Sequence, residues 1–317
     1  MKIVITGGGG FLGSRLARAL LAKGELGGQK ISKVTLFDTG FPNGSPADPR
    51  VTAVTGDVVQ INLSPDTGAV FHLAAVVSGA AEADFDLGMR ANLEGTHRVL
   101  EQARRCPKPP RLVFSSSVAA FGGALPPVLD DSTTPTPQTS YGSQKVMGEY
   151  LIADYSRKGY VDGRSLRLPT IVVRAGRPNA AASSFASGIL REPLNGVVSE
   201  CPVGPETGVW LLSPRRVVES FIHAHEIPAA AWGSGRVVNL PGITTSVAEM
   251  VEALKRVAGA KTAARVQFKP EARIQAIVKT WPVRFKTPQS LKMGFRADDS
   301  VETVIRDYLE DEKISLA

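Results

Sequence analysis

The chain opens Met1-Lys2-Ile3-Val4-Ile5-Thr6, empties into Gly7-Gly8-Gly9-Gly10 and continues Phe11-Leu12-Gly13, and no other stretch limits the possible folds so tightly. β-Branched apolar residues favour an extended strand, and glycines allow a turn that side chains would block. Apolar residues at Phe11, Leu12, Leu16 and Leu20 then recur at helical spacing. A strand, a bare turn and a helix in that order aim free backbone N–H groups and the positive end of a helix dipole at one point, which suits a pyrophosphate. The four glycines satisfy two spacings at once, Gly8-x-Gly10-x-x-Gly13 and Gly7-x-x-Gly10-x-x-Gly13, and the loop alone does not choose between them.

A nucleotide site of this kind belongs to an α/β protein with a Rossmann-type, doubly wound parallel sheet. With 317 residues, 43% hydrophobic and 21% charged, the chain is long enough for one such domain plus a smaller mixed α/β lobe. No run of about 18 apolar residues occurs and Met1 leads straight into the first strand, so neither a membrane span nor a signal peptide is expected, and a cytoplasmic location is. Cys106 and Cys201 do not combine with His72, His97, His223 or His225 at metal-ligand spacing, so no metal site is expected. The net charge of +7 is spread out, with small knots at Arg104-Arg105 and Arg215-Arg216 and no interleaved aromatics. That pattern argues against a nucleic-acid partner and suits a small anionic substrate and an anionic dinucleotide.

Val34 to Asp38 reads as a second strand that ends in an acid 25 positions beyond Gly13. A carboxylate there accepts hydrogen bonds from the adenosine ribose and repels a 2′-phosphate, so NAD is the expected cofactor. Residues 39–50, with prolines and Asn43-Gly44, read as a loop, Val51–Thr55 as a strand, and Asp57 as an adenine contact. Ala69 to Ala75 reads as a buried strand ending in small residues that would let a cofactor lie against the backbone, with His72 as a packed strand residue. One long helix is expected from Phe85 to Arg105, then a strand at Arg111–Phe114 closed by Ser115-Ser116-Ser117.

Tyr141-Gly142-Ser143-Gln144-Lys145 follows a proline-containing loop and leads an amphipathic stretch through Tyr155. Tyr and Lys four apart share a helix face. An ammonium near a phenol stabilises the phenolate, so Tyr141 can exchange a proton with a substrate hydroxyl while hydride moves, and a nearby serine can hold the reacting oxygen.

These residues together make the first 175 positions resemble the extended short-chain dehydrogenase/reductase family, the NAD-dependent epimerase/dehydratase-like group. The matching motifs are Thr6-Gly7-x-x-Gly10-x-x-Gly13, Asp38, Asp57, His72-Leu73-Ala74-Ala75, Asn92-x-x-Gly95-Thr96, Phe114-Ser115-Ser116-Ser117 and Tyr141-x-x-x-Lys145. The resemblance implies catalysis by Ser117, Tyr141 and Lys145, with Ser117 selected because it stands three residues before Ala120-Phe121-Gly122. It implies NAD contacts from Gly7, Gly10, Phe11, Leu12, Gly13, Asp38, Asp57, Val58, Leu73, Ala74, Ala75, Asn92, Ser115, Tyr141, Lys145 and Pro169, and a substrate contact from Ser78. It also implies a homodimer through helices near 84–105 and 138–158. Phe121 departs from the Tyr usual in relatives and removes a hydroxyl that some of them place near the substrate.

Residues 1–175 are thus expected to form the NAD-binding domain and 176–317 mainly a substrate-binding lobe, with segments returning to the first domain. Arg174 to Phe185, Cys201-Pro202-Val203 and Ser213-Pro214-Arg215-Arg216 look like the D-erythronate dehydrogenase branch, which oxidises a four-carbon sugar acid. Arg174 or Arg177 would pair with the carboxylate, while Asn179, Ser183 and Ser184 would read hydroxyls. Val237 to Gly242 reads as a late strand of the lobe, Ser246 to Ala258 as a helix capped by Thr245 or Ser246, and the C-terminus as a further helix. The main expectation is oxidation of a sugar-acid C2 hydroxyl with release of NADH. Two alternatives stand beside it: a nucleotide-sugar epimerase or dehydratase that returns the hydride to the sugar, and a non-catalytic NAD-sensing protein.

Overall fold

The computed structural model describes residues 1–176 and 183–316, and the chain divides into two compact units. The first comprises Met1–Ala120, Pro137–Arg167 and Val218–Asn239; the second comprises Phe121–Thr136, Leu168–Val217 and Leu240–Ala317.

The first unit is built on a seven-stranded parallel sheet. Its strands are β1 (Lys2–Thr6), β2 (Lys33–Asp38), β3 (Val51–Thr55), β4 (Thr67–His72), β5 (Arg111–Ser117), β6 (Asp162–Leu168) and β7 (Val237–Asn239), in the spatial order β7-β6-β5-β4-β1-β2-β3. The order reverses between β1 and β4, and a crevice at the carboxyl ends of such strands is where an open α/β sheet binds its ligand. Ile3, Ile5, Leu36, Val70, Phe71, Leu112 and Val113 are buried in it, as strands covered on both faces require. Only β3, at the edge, is largely exposed.

Three helices matter for the site: α1 (Phe11–Lys23), α2 (Gly95–Ala103) and α3 (Ser140–Arg157). α1 buries Leu16, Ala17, Leu20 and Leu21, the stripe set by its apolar spacing. The single helix expected from Phe85 to Arg105 is interrupted. Phe85–Gly88 is α-helical, Met89–Glu94 forms a wider π turn, and α2 follows. The extra residue of a π turn re-aims the side chains around it, and here that group includes Asn92.

The late strand read as part of the lobe belongs instead to the first unit. β7 pairs in parallel with β6, Val237 opposite Ser165 and Asn239 opposite Arg167. The short apolar Val237-Val238 pair completes the large sheet, and Val238 is buried there.

The second unit has a three-stranded mixed sheet in which Gly208–Leu212 pairs antiparallel with Ile243–Ser246 and parallel with Thr170–Ile171. Ser199–Cys201 pairs in parallel with Val266–Phe268. Helices Ser184–Leu194, Val247–Ala258 and Val301–Asp311 share a core that includes Ile189, Leu190, Met250, Leu254, Val304 and Ile305. Ser246, one of the two residues expected to cap its helix, forms a full capping box with Glu249. Among the described residues no helix is long and apolar enough to cross a membrane.

Candidate active site

The carboxyl ends of β1, β2, β4 and β5 carry the residues that the sequence singled out. At the end of β1, Gly7 adopts φ +71°, and a Cβ there would stand 2.8 Å from the Ala74 nitrogen and 2.9 Å from the Leu73 carbonyl carbon. A Cβ on Gly13 would stand 2.8 Å from the Gly7 carbonyl carbon and closer still to its oxygen. Bare backbone is therefore what lets α1 begin against the end of β1. Gly10 occupies the N-cap of α1 with no side-chain cap, and the first turn contains no acid. Uncapped N–H groups at a helix N-terminus beside a glycine cradle fit a dinucleotide pyrophosphate.

Asp38 ends β2 beside this loop. One carboxylate oxygen accepts from the Gly9 N–H at 3.0 Å and the other from the Thr39 N–H at 2.7 Å, so the group has a fixed orientation. Asp57 caps the short turn Val58–Gln60 by accepting from the Val59 N–H at 3.1 Å, and pairs with Arg90 at 2.9 Å. Val58 is buried.

β4 ends at His72, and Leu73-Ala74-Ala75 leaves it as a loop. A chain of hydrogen bonds under this loop fixes the proton on His72. Thr96 Oγ1 donates to the Asn92 carbonyl at 2.6 Å, so it accepts from His72 Nε2–H at 2.9 Å. His72 Nδ1 then accepts from the Thr6 hydroxyl at 2.7 Å, and Thr6 Oγ1 accepts the Ala74 N–H at 3.2 Å. Burial holds the imidazole neutral, its pKa pushed down to about 3, with the Lys145 charge acting in the same direction. His72 is thus the packed residue expected, and it ties β1, β4 and α2 to the loop that the cofactor would lie on.

Asn92 secures the next residue. It accepts from the Val76 N–H at 2.8 Å and donates to the Val76 carbonyl at 3.1 Å and to Gln144 Oε1 at 2.7 Å. Because Gln144 adjoins Lys145 on α3, the loop after β4 and the helix carrying Tyr141 and Lys145 share one buried network. Ser78, half-buried, begins the short helix that follows, Ser78–Ala83.

α3 starts where Thr139 caps the Gly142 N–H at 3.1 Å. A Cβ at Gly142 would meet the Ala119 carbonyl carbon and Pro137 Cβ at 3.0 Å each, so glycine lets the helix press against the turn that follows β5. That contact brings Tyr141 to the end of the strand carrying Ser117. Ser117 and Tyr141 are half-buried, and Ser117 Oγ accepts the Ala119 N–H at 3.1 Å.

Lys145 is buried, 2% exposed. Its Nζ donates to the Ser115 carbonyl at 2.8 Å and lies 4.7 Å from the Phe114 ring centre and 5.5 Å from that of Tyr141. Desolvation lowers its pKa to about 7, opposed by the charge of Glu149. An ammonium beside the Tyr141 ring can stabilise a phenolate, and a phenolate with a serine hydroxyl at the adjacent strand end is able to take a proton from an alcohol.

Pro169, Arg174 and Ser183 lie in the second unit. Arg174 donates to Ser183 Oγ at 3.2 Å, while its N–H is held by Ser187 Oγ at 3.0 Å. Arg177 and Asn179 fall outside the described residues. Sequence reasoning missed Thr6, Thr96, Gln144, Ser116, Glu149 and Arg167 as members of the site's buried framework. Thr6, Thr96, Ser116 and Gln144 stood inside motifs already singled out without a role of their own, and Glu149 follows Lys145 by four residues as Lys145 follows Tyr141.

Residues 3–232 match the model of the NAD dependent epimerase/dehydratase family. A D-erythronate dehydrogenase of Cupriavidus necator is 54% identical, with 98% of each chain covered. A D-erythronate dehydrogenase of Haemophilus influenzae is 44% identical over 98% of this chain and 99% of its own length. The crystal structure of a nucleoside-diphosphate-sugar epimerase from Agrobacterium tumefaciens superposes with TM-score 0.95 at 40% identity, covering 100% of this chain and 96% of that one. With the glycine cradle, the acid closing β2 and the Ser, Tyr and Lys around β5 all in place, this chain belongs to the NAD-dependent epimerase/dehydratase family.

Proposed function

We propose that this chain is an NAD-dependent dehydrogenase that oxidises the C2 hydroxyl of D-erythronate, or of a closely related four-carbon aldonic acid, to the 2-oxo acid and releases NADH. The observation that carries the proposal is the 54% identity, over 98% of both chains, to a protein named D-erythronate dehydrogenase. The residues of the first unit support the chemistry. Tyr141 as its phenolate takes the hydroxyl proton, Lys145 stabilises that phenolate, and Ser117 holds the reacting oxygen. The N–H groups of the Gly7 to Gly13 loop receive the pyrophosphate and Asp38 the adenosine ribose. Asp57 and Val58 flank the adenine, while Leu73, Ala74, Ala75, Asn92, Ser115 and Pro169 line the rest of the cofactor. When bound, NAD supplies the hydride acceptor; every proton transfer remains with the protein's own groups.

We assign the substrate carboxylate to Arg174 or Arg177, and the hydroxyls to Ser78, Asn179 and Ser183. The bond between Arg174 and Ser183 supports part of this, because it pairs a cation with a hydroxyl as a hydroxy acid requires. The same proposal includes a homodimer, supported by Phe85 at 59% exposure, Tyr150 at 68% and exposed Leu87 on the two helical segments expected to pair. A cytoplasmic location is also proposed, supported by two free thiols, Cys106 and Cys201.

The epimerase name of the A. tumefaciens structure keeps one alternative in view, the same proton chemistry with the hydride returned to a nucleotide sugar. NADH absorbance with D-erythronate, L-threonate and a nucleotide sugar side by side decides between them. Stoichiometric NADH from a four-carbon acid is the expected result. No NADH from any such acid, together with epimerisation of the nucleotide sugar, overturns it.

A further inference from the structure

We infer that Glu149, clamped by Arg167 and Ser116, is a positioning residue that keeps Lys145 in its charged form. The inference rests on the assignment of Tyr141 and Lys145 as the proton-transfer pair.

Tyr141, Lys145 and Glu149 are successive members of one i, i+4, i+8 row on α3. Glu149 is 5% exposed, and a buried carboxylate needs strong partners. It has three. Arg167 Nε and Nη2 donate to its two oxygens at 2.9 and 2.6 Å, and the Ser116 hydroxyl donates at 2.5 Å. Arg167 reaches it from β6 and Ser116 from β5, so two sheet strands fix the acid's position along the helix.

The three serines ending β5 thereby divide the work. The Ser115 carbonyl accepts from Lys145, the Ser116 hydroxyl binds Glu149, and Ser117 stands at the end where the substrate oxygen is expected. A slip of one residue on this strand would exchange these partners.

Among the groups packed around the ammonium, the phenol of Tyr141 and the ring of Phe114 carry no full charge, and His72 is neutral. Among the described residues, the full negative charge acting on Lys145 is that of Glu149, which opposes the burial that drives the lysine toward its neutral form. Arg167 meets that carboxylate through a bidentate bond, so it anchors the acid and partly balances it. A neutral Lys145 would have no charge with which to stabilise a Tyr141 phenolate.

The test is the titration of Lys145 itself, followed by the ¹³Cε resonance of labelled lysine in the full-length chain and assigned by its absence from Lys145→Arg. Glu149→Gln removes the charge. Glu149→Gln with Arg167→Met removes it without leaving a buried guanidinium unpaired, and decides the matter if the single variant fails to fold. Ser116→Ala removes one bond and keeps the charge. The expected result is a midpoint lowered by at least about one unit in Glu149→Gln, lowered by less but still measurably in the double variant because the Arg167 charge is removed with it, and moved little in Ser116→Ala. A midpoint unchanged in the Glu149 variants overturns the inference, because a purely structural role would disturb stability and leave the titration alone. Turnover by Lys145→Met separates the two levels: if that variant stays active, the assignment of the proton-transfer pair fails, whatever the titration shows.

Discussion

Substituting Gly13 by alanine is the most direct test of whether the glycine turn is a phosphate cradle or merely a tight connection. In the structure a Cβ at this position would lie within 3.0 Å of three backbone atoms, the Gly7 carbonyl carbon and oxygen and Gly8 Cα. None of the three belongs to a side chain that could rotate away. The remedy open to the chain is to withdraw the start of α1 from the end of β1 by roughly 1 Å, an overpacking that costs about 1–3 kcal/mol of stability. The helix is anchored farther along by Leu16, Ala17 and Leu20, so the displacement is concentrated in its first turn, where the free N–H groups are.

A shift of that size removes at least one charge-assisted hydrogen bond to a phosphate, worth about 1.5–3 kcal/mol, or roughly 10- to 150-fold in the dissociation constant for NAD. Gly24→Ala supplies the control. Gly24 has φ +73°, and a Cβ there would meet no atom within 4 Å, so alanine bears only the left-handed strain of about 1–2 kcal/mol. Titration calorimetry with NAD, paired with urea unfolding, should find both variants less stable and only Gly13→Ala weak in binding. Should Gly13→Ala bind NAD within threefold of the parent, the cradle assignment is refuted.

Three further outcomes are expected. Tyr141→Phe should lower turnover by about 10²–10⁴ while NAD binding by titration is kept, and activity within about tenfold of the parent would remove Tyr141 as the general base. Asp38→Ala should narrow the preference for NAD over NADP in kcat/KM, because the charge facing the 2′ position is lost; an unchanged ratio would place the selectivity elsewhere. His72 is neutral when folded and titrates ordinarily when unfolded, so the unfolded chain binds the extra proton and stability is lost as pH falls from about 6.5 toward 3. Replacement by Gln should therefore reduce the loss in unfolding free energy between pH 7 and pH 5 by about 2 kcal/mol, and an unaltered pH slope in urea melts would contradict the buried neutral assignment.

What the sequence made legible was local. Strand, turn and helix at residues 1–23 announce themselves through β-branching, glycine and apolar spacing within one short window, and Tyr141 and Lys145 stand one helical turn apart. Asp38 could be placed because it closes a strand. The buried network beneath these groups gave no such signal, since it joins residues distant in sequence: Thr6 with His72, His72 with Thr96, Asn92 with Gln144, Glu149 with Arg167. Each is an ordinary polar residue until folding buries it, and only then must it find a partner. The π turn at Met89–Glu94 was hidden for the same reason, because periodicity reports that a stretch is helical and not which hydrogen bond an inserted residue gives up.

Phe121 shows how reading one position from sequence can miss its physical surroundings. The family resemblance presents it as standing where a tyrosine is usual. In the structure its ring is 4% exposed and packs edge-on against Phe285 at 5.9 Å, and Phe285 in turn stacks on Trp210 at 5.1 Å. All three belong to the second unit, whose strand Gly208–Leu212 carries Trp210, and the segment around Phe121 joins it through the bridge between Leu129 and Phe285. Burial against the Phe285 ring favours an aromatic side chain here, and a phenol so buried would have to find a hydrogen-bond partner for its hydroxyl. Nothing near Phe121 in sequence predicts this, since Trp210 and Phe285 are 89 and 164 positions further along the chain. The packing of the second unit thus gives Phe121 a place in an aromatic core that its position in the sequence does not reveal.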